Sequence, residues 1–233
     1  MASKPKEPSM PSVWARPEPT TRQPALNRAL IVREAVALLD EEGAAELSMR
    51  KLGARMNAGA TSFSRHVGPK DHLMELAVDH VLGEVTGPLT GPGNWRADIT
   101  AFAESFRATA LRHPWLCAEL GRAGLAYLGP NLSALSAHLL TVLGAAGHPD
   151  PHGAVDVLYS YVIGMSTTEA AWLTTVARTG LTEAEFLART LPDTPDEEAE
   201  KPGSALDPAA IRDGKFTAAL DIVLDGIATR ITP

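Results

Sequence analysis

Two short helical segments joined by a tight turn constrain the fold of this chain more strongly than any other feature. Ser48 is a typical N-cap residue, and the segment behind it carries its apolar side chains on one face, at Met49, Leu52 and Met56. Asn57 follows at the turn, where asparagine tolerates left-handed backbone better than most residues. A second short helix is predicted from about residue 60 to residue 66, before Gly68-Pro69 ends it.

Longer helices flank this pair on both sides. An apolar period begins at Ala25 and ends at Glu42, where Gly43 is a typical C-cap residue. Lys70 opens another longer helix, whose apolar side chains repeat at helical spacing as far as Val85. Two short helices held between longer ones form the helix-turn-helix pattern, in which the second helix enters the major groove of DNA. A small helical connector in an all-α protein would give the same pattern.

The sequence TSFSRHV at residues 61–67 suits a short helix that contacts DNA. Phe63 and Val67 lie four residues apart and can anchor one face on the flanking helices. The other side chains are short hydroxyls and a cation that can remain outside to meet DNA: Thr61, Ser62, Ser64 and Arg65.

Charge is divided unevenly along the chain. The net charge is −7, but residues 1–72 hold 11 Lys and Arg against 8 Asp and Glu. Residues 73–233 hold 10 against 20. A chain with opposite charge in its two parts can present only one of them to a polyanion, so the acidic total does not exclude a nucleic-acid partner.

The remainder of the chain is predicted to be helical, which makes the fold class all-α. Apolar periods run from Asn94, a candidate N-cap, to Arg112, and over residues 151–178. Further helices are predicted around HPWLCAEL, over residues 132–143 and over residues 216–231. We find no alternation typical of strands.

Composition narrows the class of protein. Residues 1–23 are Pro-rich and indicate an arm, while the acidic, Pro-rich residues 191–210 predict a mobile loop. No apolar run approaches the ~18 residues of a membrane helix, and the N-terminus lacks the apolar region of a secretory signal. A single cysteine, Cys117, excludes an internal disulfide framework and is expected to be a small core residue. We therefore expect a cytoplasmic protein.

The stretch IVREAVALLDEEGAAELSMRKLGARMNAGATSFSRHVGPKDHLMELAVDHVLGEV resembles the DNA-binding domain of the TetR (tetracycline repressor-like) family of bacterial regulators. Its EEG, LSMRKLGARM, RHV and KDHL segments fall at the spacing of that family. Downstream, HPWLCAEL, GPN and YSYVIGMSTTEAAW are similar to the tetracycline-repressor type of C-terminal domain. The resemblance implies an arm at residues 1–23, a helix-turn-helix DNA-binding domain at 24–70 and a helical ligand-binding and dimerisation domain at 71–233.

Matching the family residue by residue implies a set of DNA contacts. Arg50 takes the position of an arginine that reads a guanine, whose O6 and N7 suit the guanidinium fork. Lys70 takes the position of a phosphate-contacting lysine at a helix N-terminus. Further contact positions fall on Ser48, Ala60, Thr61, Ser62, Ser64, Arg65 and His66. The alternative for Arg50 is a solvated surface cation.

Two positions depart from the family pattern. Asn57 replaces the turn glycine and preserves the left-handed option. Ser64 replaces a tyrosine that touches a phosphate in the family, and serine is much shorter. DNA binding is still expected, because Arg65 or Lys70 could compensate for a lost phosphate contact.

The resemblance assigns two roles to the C-terminal part. The long helix and the terminal helix are expected to pack against a second copy as a four-helix dimer interface, with packing inside the monomer as the alternative. The middle helices are expected to enclose a pocket for an apolar or aromatic small molecule. The candidate pocket residues, each of which could instead be ordinary core, are Phe102, Phe106, Trp115, Tyr127, His138, Tyr161, Met165, Glu169 and Trp172.

Tetracycline itself is not the expected effector. An asparagine that grips the drug in the tetracycline repressor falls on Phe102, and a histidine that helps to hold its magnesium falls near Leu120. The amide and the metal ligand that hold the drug and its magnesium are therefore missing at these two positions.

No motif predicts an enzyme, a metal site or a cofactor, because a phosphate loop, HExxH and GxSxG are all absent. His148 and His152 flank Asp150, but histidines in such a Pro-rich turn usually lie at the surface. The expected function is a homodimeric, ligand-responsive repressor of a pseudo-palindromic operator in double-stranded DNA. The alternative is a helical small-molecule-binding protein with weakened or lost DNA binding, which Ser64 makes conceivable.

Overall fold

The computed structural model describes residues 27–57, 65–86, 94–123, 129–190 and 207–231. Nine helices lie in these ranges: α1 (Arg28–Glu42), α2 (Met49–Arg55), α3 (Lys70–Leu82), α4 (Trp95–Arg112), α5 (Leu116–Ala123), α6 (Pro130–Ala145), α7 (Pro151–Arg178), α8 (Glu183–Thr190) and α9 (Pro208–Ala228). Residues 65–67 form one further helical turn. The described ranges contain no strand, and the all-α prediction is confirmed.

Local capping sets the ends of α1. The helix begins at Arg28 rather than at Ala25, because Asn27 has extended backbone and its Oδ1 accepts a hydrogen bond from the N–H of Leu30 at 2.8 Å. Gly43 ends α1 as predicted, with a φ of 86° that favours glycine.

The later helices follow the sequence prediction with two differences. α7 covers the predicted residues 151–178, and Asp150 caps it by accepting a hydrogen bond at Oδ1 from the N–H of Gly153. The C-terminal boundary of the loop predicted at residues 191–210 is wrong, because Asp207 caps α9 and the helix starts at Pro208. Residues 191–206 lie outside the described residues, and α8 was not predicted.

The chain divides into two compact units. One comprises residues up to 85 together with residues 118–135, and the other comprises residues 86–117 and those from 136 onward. α3 belongs to the first unit, where it packs against α1. The functional boundary that we placed after residue 70 remains a prediction.

The first unit has a core of aliphatic side chains from α1, α2 and α3. Ile31, Leu52, Leu73 and Val81 are fully buried there. Val67, the last residue of the helical turn at residues 65–67, is buried as well, as its anchoring role requires. Fully burying one such side chain stabilises the fold by about 1.5–3 kcal/mol. The short helices therefore rest on a core that the longer helices supply.

The second unit is organised around α7, which packs against α4 and α9. Ile99, Phe102 and Phe106 of α4 are fully buried, and Phe216 of α9 is 1% exposed. Asn94 stands at the N-cap position of α4 as predicted, but its side chain makes no capping hydrogen bond.

Two predictions about composition can be compared with the structure directly. Cys117 is buried as expected, and burial raises the pKa of its thiol to about 11. None of the described helices is long and apolar enough to cross a membrane.

Candidate DNA interface and effector core

The predicted turn between the two short helices has the expected backbone. Ser48 caps α2 by accepting a hydrogen bond at Oγ from the N–H of Lys51 at 3.2 Å. Asn57 has a φ of 50°, in the left-handed region that the turn needs. Gly68 has a φ of 76° and separates the helical turn at residues 65–67 from α3.

The predicted DNA-contacting residues fall into three groups. Ala60, Thr61, Ser62 and Ser64 lie outside the described residues. Arg50 and Arg65 are exposed. Ser48, His66 and Lys70 are half-buried.

Two of the three cationic side chains of α2, those of Lys51 and Arg55, are paired with carboxylates. Lys51 forms ion pairs with Glu42 and with Glu46, and hydrogen bonds to these two carboxylates raise its pKa. Arg55 is held by Glu41 at 2.5 Å and by Glu34 at 3.2 Å.

Arg50, on the same helix, makes no hydrogen bond or ion pair with any residue that the structure describes. No described residue therefore competes with a DNA partner for its guanidinium. Sequence reasoning chose Arg50 by its position in the family, and the structure adds that carboxylates hold its neighbours Lys51 and Arg55.

Lys70 and His66 also contribute to the fold of the first unit. The Nζ of Lys70 lies 3.4 Å from the carbonyl oxygen of Ala44, in the loop between α1 and α2. The Nε of Arg28 donates to the carbonyl oxygen of His66 at 3.3 Å. These contacts hold one side of the Gly68-Pro69 break against the start of α1 and the other side against the loop that follows α1.

Two predicted effector residues form an aromatic cluster with a third that sequence reasoning missed. The ring centroids of Phe102 and Phe106 are 6.0 Å apart, and Tyr159 packs edge-on against Phe102 at 5.8 Å. The hydroxyl groups of Tyr159 and Ser136 lie within hydrogen-bonding distance, at 3.2 Å. Tyr159 lies four residues after Val155 in the apolar period of α7, which is the signal that could have identified it.

The other predicted effector residues are spread over the second unit. Trp115 is buried, and its ring packs edge-on against His113 at 6.1 Å. His138 and Met165 are half-buried, on α6 and α7. Tyr127 lies outside the described residues.

Glu169 is the centre of an ion-pair network. Arg107 of α4 binds both carboxylate oxygens of Glu169, each at 2.6 Å. Arg212 of α9 donates to the same carboxylate at 3.0 Å and also pairs with Glu183 of α8. Arg107 makes a second ion pair, at 2.8 Å, with Asp213. Burial alone would raise the pKa of Glu169, but hydrogen bonds and charge from the two arginines hold it below its usual value.

Aromatic residues surround this network. The hydroxyl of Tyr161 donates to the carbonyl oxygen of Phe216, and the guanidinium of Arg107 lies 4.9 Å from the ring centre of Phe216. The Nε1 of Trp172 donates to Glu183 at 2.6 Å, and its ring packs on Phe186. Three of the predicted effector residues, Tyr161, Glu169 and Trp172, thus have polar partners from other helices of the second unit.

A groove of about 470 Å³ lies between the start of α7 and the end of α9. Its walls include Val157, which is 53% exposed, and Ile222, which is 74% exposed. His148 also lines it and is buried, so its expected place at the surface is wrong; its Nδ1 accepts a hydrogen bond from the N–H of Asp150. His152 is exposed, as expected. The described residues contain no group of His, Cys, Asp or Glu arranged to hold a metal ion.

A family model and two known regulators match this chain over most of its length. The sequence model of the tetracyclin repressor-like, C-terminal domain matches residues 87–231. An HTH-type transcriptional regulator of Saccharopolyspora erythraea is 43% identical over 164 residues, which cover 69% of this chain and 69% of that protein. The HTH-type transcriptional repressor DrrR1 of Streptomyces coeruleorubidus is 33% identical over 173 residues, which cover 73% of this chain and 63% of DrrR1.

A solved structure extends the likeness to almost the full length. The TetR family protein ActR of Streptomyces coelicolor, in complex with actinorhodin, is similar with a TM-score of 0.67 and 27% sequence identity. The match covers 89% of this chain and 99% of ActR. The helical units, the turn at Asn57 and these relatives agree with one another, and the chain belongs to the tetracycline repressor-like (TetR) family of transcriptional regulators.

Proposed function

We propose that this protein is a cytoplasmic, ligand-responsive repressor that binds a pseudo-palindromic operator as a homodimer and is released by a small molecule. The observation that carries the proposal is the exposure of Arg50 together with the absence of a carboxylate partner for it among the described residues. Arg50 is exposed on the short helix before the left-handed turn at Asn57, and it has no carboxylate partner among the described residues, unlike Lys51 and Arg55. An exposed guanidinium at this position suits a guanine edge in the major groove.

The assignment as a repressor is supported by DrrR1, which is named a transcriptional repressor. Residues 24–70 supply the DNA-binding domain of the proposed regulator. Besides Arg50, its contact residues are Ser48, Ala60, Thr61, Ser62, Ser64, Arg65, His66 and Lys70. Residues 71–233 bind the effector and the second copy, and residues 1–23 form an arm.

The proposed effector is an apolar or aromatic small molecule. Support comes from the ActR complex with actinorhodin and from the aromatic cluster of Phe102, Phe106 and Tyr159 in the second unit. The effector site also includes Trp115, Tyr127, His138, Tyr161, Met165, Glu169 and Trp172. Because Phe102 offers no amide and Leu120 offers no metal ligand, the site is not suited to a tetracycline–magnesium complex.

The proposed dimer interface is the face shared by α7 and α9. Val157 and Ile222 are more than half exposed there, although apolar side chains gain free energy by leaving water. Polar groups on the same face also need partners. Since Nδ1 of His148 accepts a backbone hydrogen bond, Nε2 carries the proton of the neutral ring, yet it is buried without an acceptor among the described residues. Arg230 lines the same groove. A second copy would cover the apolar side chains and supply acceptors.

The test starts from a DNA duplex that the wild-type chain selects from a random library. Arg50→Ala and Lys51→Gln are then titrated against that duplex and a scrambled one at a single salt concentration. Arg50→Ala is expected to lose about 1–3 kcal/mol of binding free energy on the selected duplex and little on the scrambled one. Lys51→Gln removes the same charge from the same helix, but carboxylates already hold Lys51, so its loss should be smaller.

Equal losses for both variants, or for both duplexes, would contradict the proposed role of Arg50. The alternative of a small-molecule-binding protein without DNA binding is favoured by Ser64, which shortens the side chain at a phosphate-contact position. Failure of the wild-type chain to enrich any duplex would support that alternative.

A further inference from the structure

The hydroxyl group of Ser166 is a buried polar group without a partner. Ser166 lies on α7 and is 0% exposed, and its Oγ makes no hydrogen bond with any residue that the structure describes. A hydroxyl group that leaves water and finds no partner destabilises the fold. The second unit therefore holds a hydrogen-bonding group that the described part of the chain does not use.

The other hydroxyl groups of α7 show that a backbone acceptor is within reach of a helical hydroxyl. Each threonine of this helix donates to the carbonyl oxygen four residues before it, at 2.6 to 3.0 Å: Thr167, Thr168, Thr174 and Thr175. The corresponding acceptor for Ser166 is the carbonyl oxygen of Val162, and Oγ makes no hydrogen bond to it. The hydroxyl group of Ser166 is therefore directed away from the helix backbone and towards the side chains of the core.

Ser166 belongs to the most deeply buried stripe of α7. Leu158 and Val162, eight and four residues before it, are also 0% exposed. Tyr159 of the aromatic cluster lies seven residues before Ser166, so the two side chains share a face of the helix about 10.5 Å apart along its axis. The unpaired hydroxyl group and the aromatic cluster thus face the same core.

The charged groups near Ser166 favour an uncharged ligand. Glu169, three residues further along α7, pairs with both Arg107 and Arg212. Each of these arginines also pairs with a second carboxylate, so neither is left to neutralise an anion. Burying an unpaired charge costs far more than burying a neutral oxygen that accepts a hydrogen bond. Carbonyl and hydroxyl oxygens accept from a serine hydroxyl without bringing a charge.

We propose that Ser166 is the hydrogen-bonding residue for the effector, and that the effector is an uncharged aromatic molecule that carries a carbonyl or hydroxyl oxygen. The proposal rests on the proposed function, because it places the effector against the aromatic cluster. The rings of the effector pack on the cluster, and its oxygen atom accepts a hydrogen bond from the Ser166 hydroxyl group. The core is closed around Ser166 in the free chain, so side chains must move to admit the effector.

Two matched probes, 9-fluorenone and fluorene, test the proposal without knowledge of the natural effector. They share the same fused rings, but fluorenone has a carbonyl group where fluorene has a methylene group. Equilibrium dialysis against the full-length chain gives the dissociation constant of each probe, and the ratio of fluorene to fluorenone measures the preference for the carbonyl group. We expect Ser166→Ala to reduce this ratio about two- to tenfold relative to the wild type, as one neutral hydrogen bond implies.

Ser160→Ala is the matched control, because it removes a hydroxyl group from an exposed position of the same helix. It should leave the ratio as it is in the wild type. A general effect of a substitution on the core changes both dissociation constants alike and cancels in the ratio. If Ser166→Ala changes both constants equally, or neither of them, the proposal is overturned.

Thermal unfolding of the free chain provides a readout that separates binding from a structural role. Because the hydroxyl group has no partner in the free chain, Ser166→Ala should leave the melting temperature unchanged or raise it. A lower melting temperature would mean that Ser166 bonds within the fold, which contradicts the proposal.

The proposal and the proposed function fail differently. A wild type that binds both probes with no dependence on Ser166 would exclude the role of Ser166 and leave the aromatic effector site intact. A wild type that binds neither probe would overturn the proposed aromatic effector site and the role of Ser166 with it.

Discussion

Glu169→Gln offers a quantitative test of the ion-pair network that joins four helices of the second unit. Glutamine keeps the shape of the side chain but removes the charge that faces Arg107 and Arg212. The side chains of Glu169, Arg107 and Arg212 are 9%, 13% and 21% exposed, so solvent screens their interactions only weakly. Removing one member of a buried ion pair costs about 3–5 kcal/mol.

The expected cost here is smaller, because each arginine keeps a second carboxylate, Asp213 for Arg107 and Glu183 for Arg212. We expect Glu169→Gln to lower the free energy of unfolding by about 2–3 kcal/mol. For a chain of this length, that loss lowers the melting temperature by about 4–12 °C. Thermal unfolding followed by circular dichroism, at one protein concentration, measures the difference.

Asp213→Asn is the matched control, because it removes a carboxylate from the same arginine. The side chain of Asp213 is 67% exposed, so its loss should cost less than about 1 kcal/mol. If Asp213→Asn lowers the melting temperature as much as Glu169→Gln does, burial does not determine the strength of these pairs and the reasoning is refuted.

The pH dependence gives a second check on the same variant. The pKa of Glu169 is lower in the folded chain than in the unfolded chain, where a glutamate has a pKa of about 4.3. Its stabilising contribution is therefore present above that value and is lost as the pH falls through the folded pKa. The gap between the wild type and Glu169→Gln should narrow on acidification, whereas a constant gap would exclude ionisation as its cause.

Further predictions concern DNA and the second copy. Lys70→Ala should weaken binding to selected and scrambled duplexes about equally in a titration, because phosphate contacts carry little sequence information. Ser64→Tyr should strengthen binding to both duplexes by at most about tenfold, and a loss confined to the selected duplex would instead assign base contact to Ser64. Ile222→Asp should shift sedimentation of the chain towards the monomer, whereas Ala108→Asp, at an exposed position of α4, should leave it unchanged.

Local signals predicted the long elements of the fold. The helix at residues 151–178 was identified from its apolar period, and Asn57 was identified as a left-handed turn residue from its side-chain type. α8 was missed because it is short and none of its residues is buried. Phe186 and Glu183 hold it through contacts with other helices, which no local period reveals.

The predicted sites were harder to resolve for the same physical reason. Glu169 was predicted to line the effector pocket, but its partners Arg107 and Arg212 lie 62 and 43 residues away in sequence. The difference between Arg50 and Lys51 likewise depends on where carboxylates of α1 fall in space. Sequence spacing predicts faces of helices, whereas pairing between helices requires the fold.

The central claim is that two copies of this chain bind a two-fold symmetric operator. Hydroxyl-radical footprinting of the selected duplex, combined with sedimentation analysis of the same complex, tests it most directly. The account predicts protection that is symmetric about a dyad, with half-sites centred about 34–36 Å apart or at a multiple of that spacing, and an even number of chains on each duplex. One asymmetric half-site bound by a single chain would contradict it.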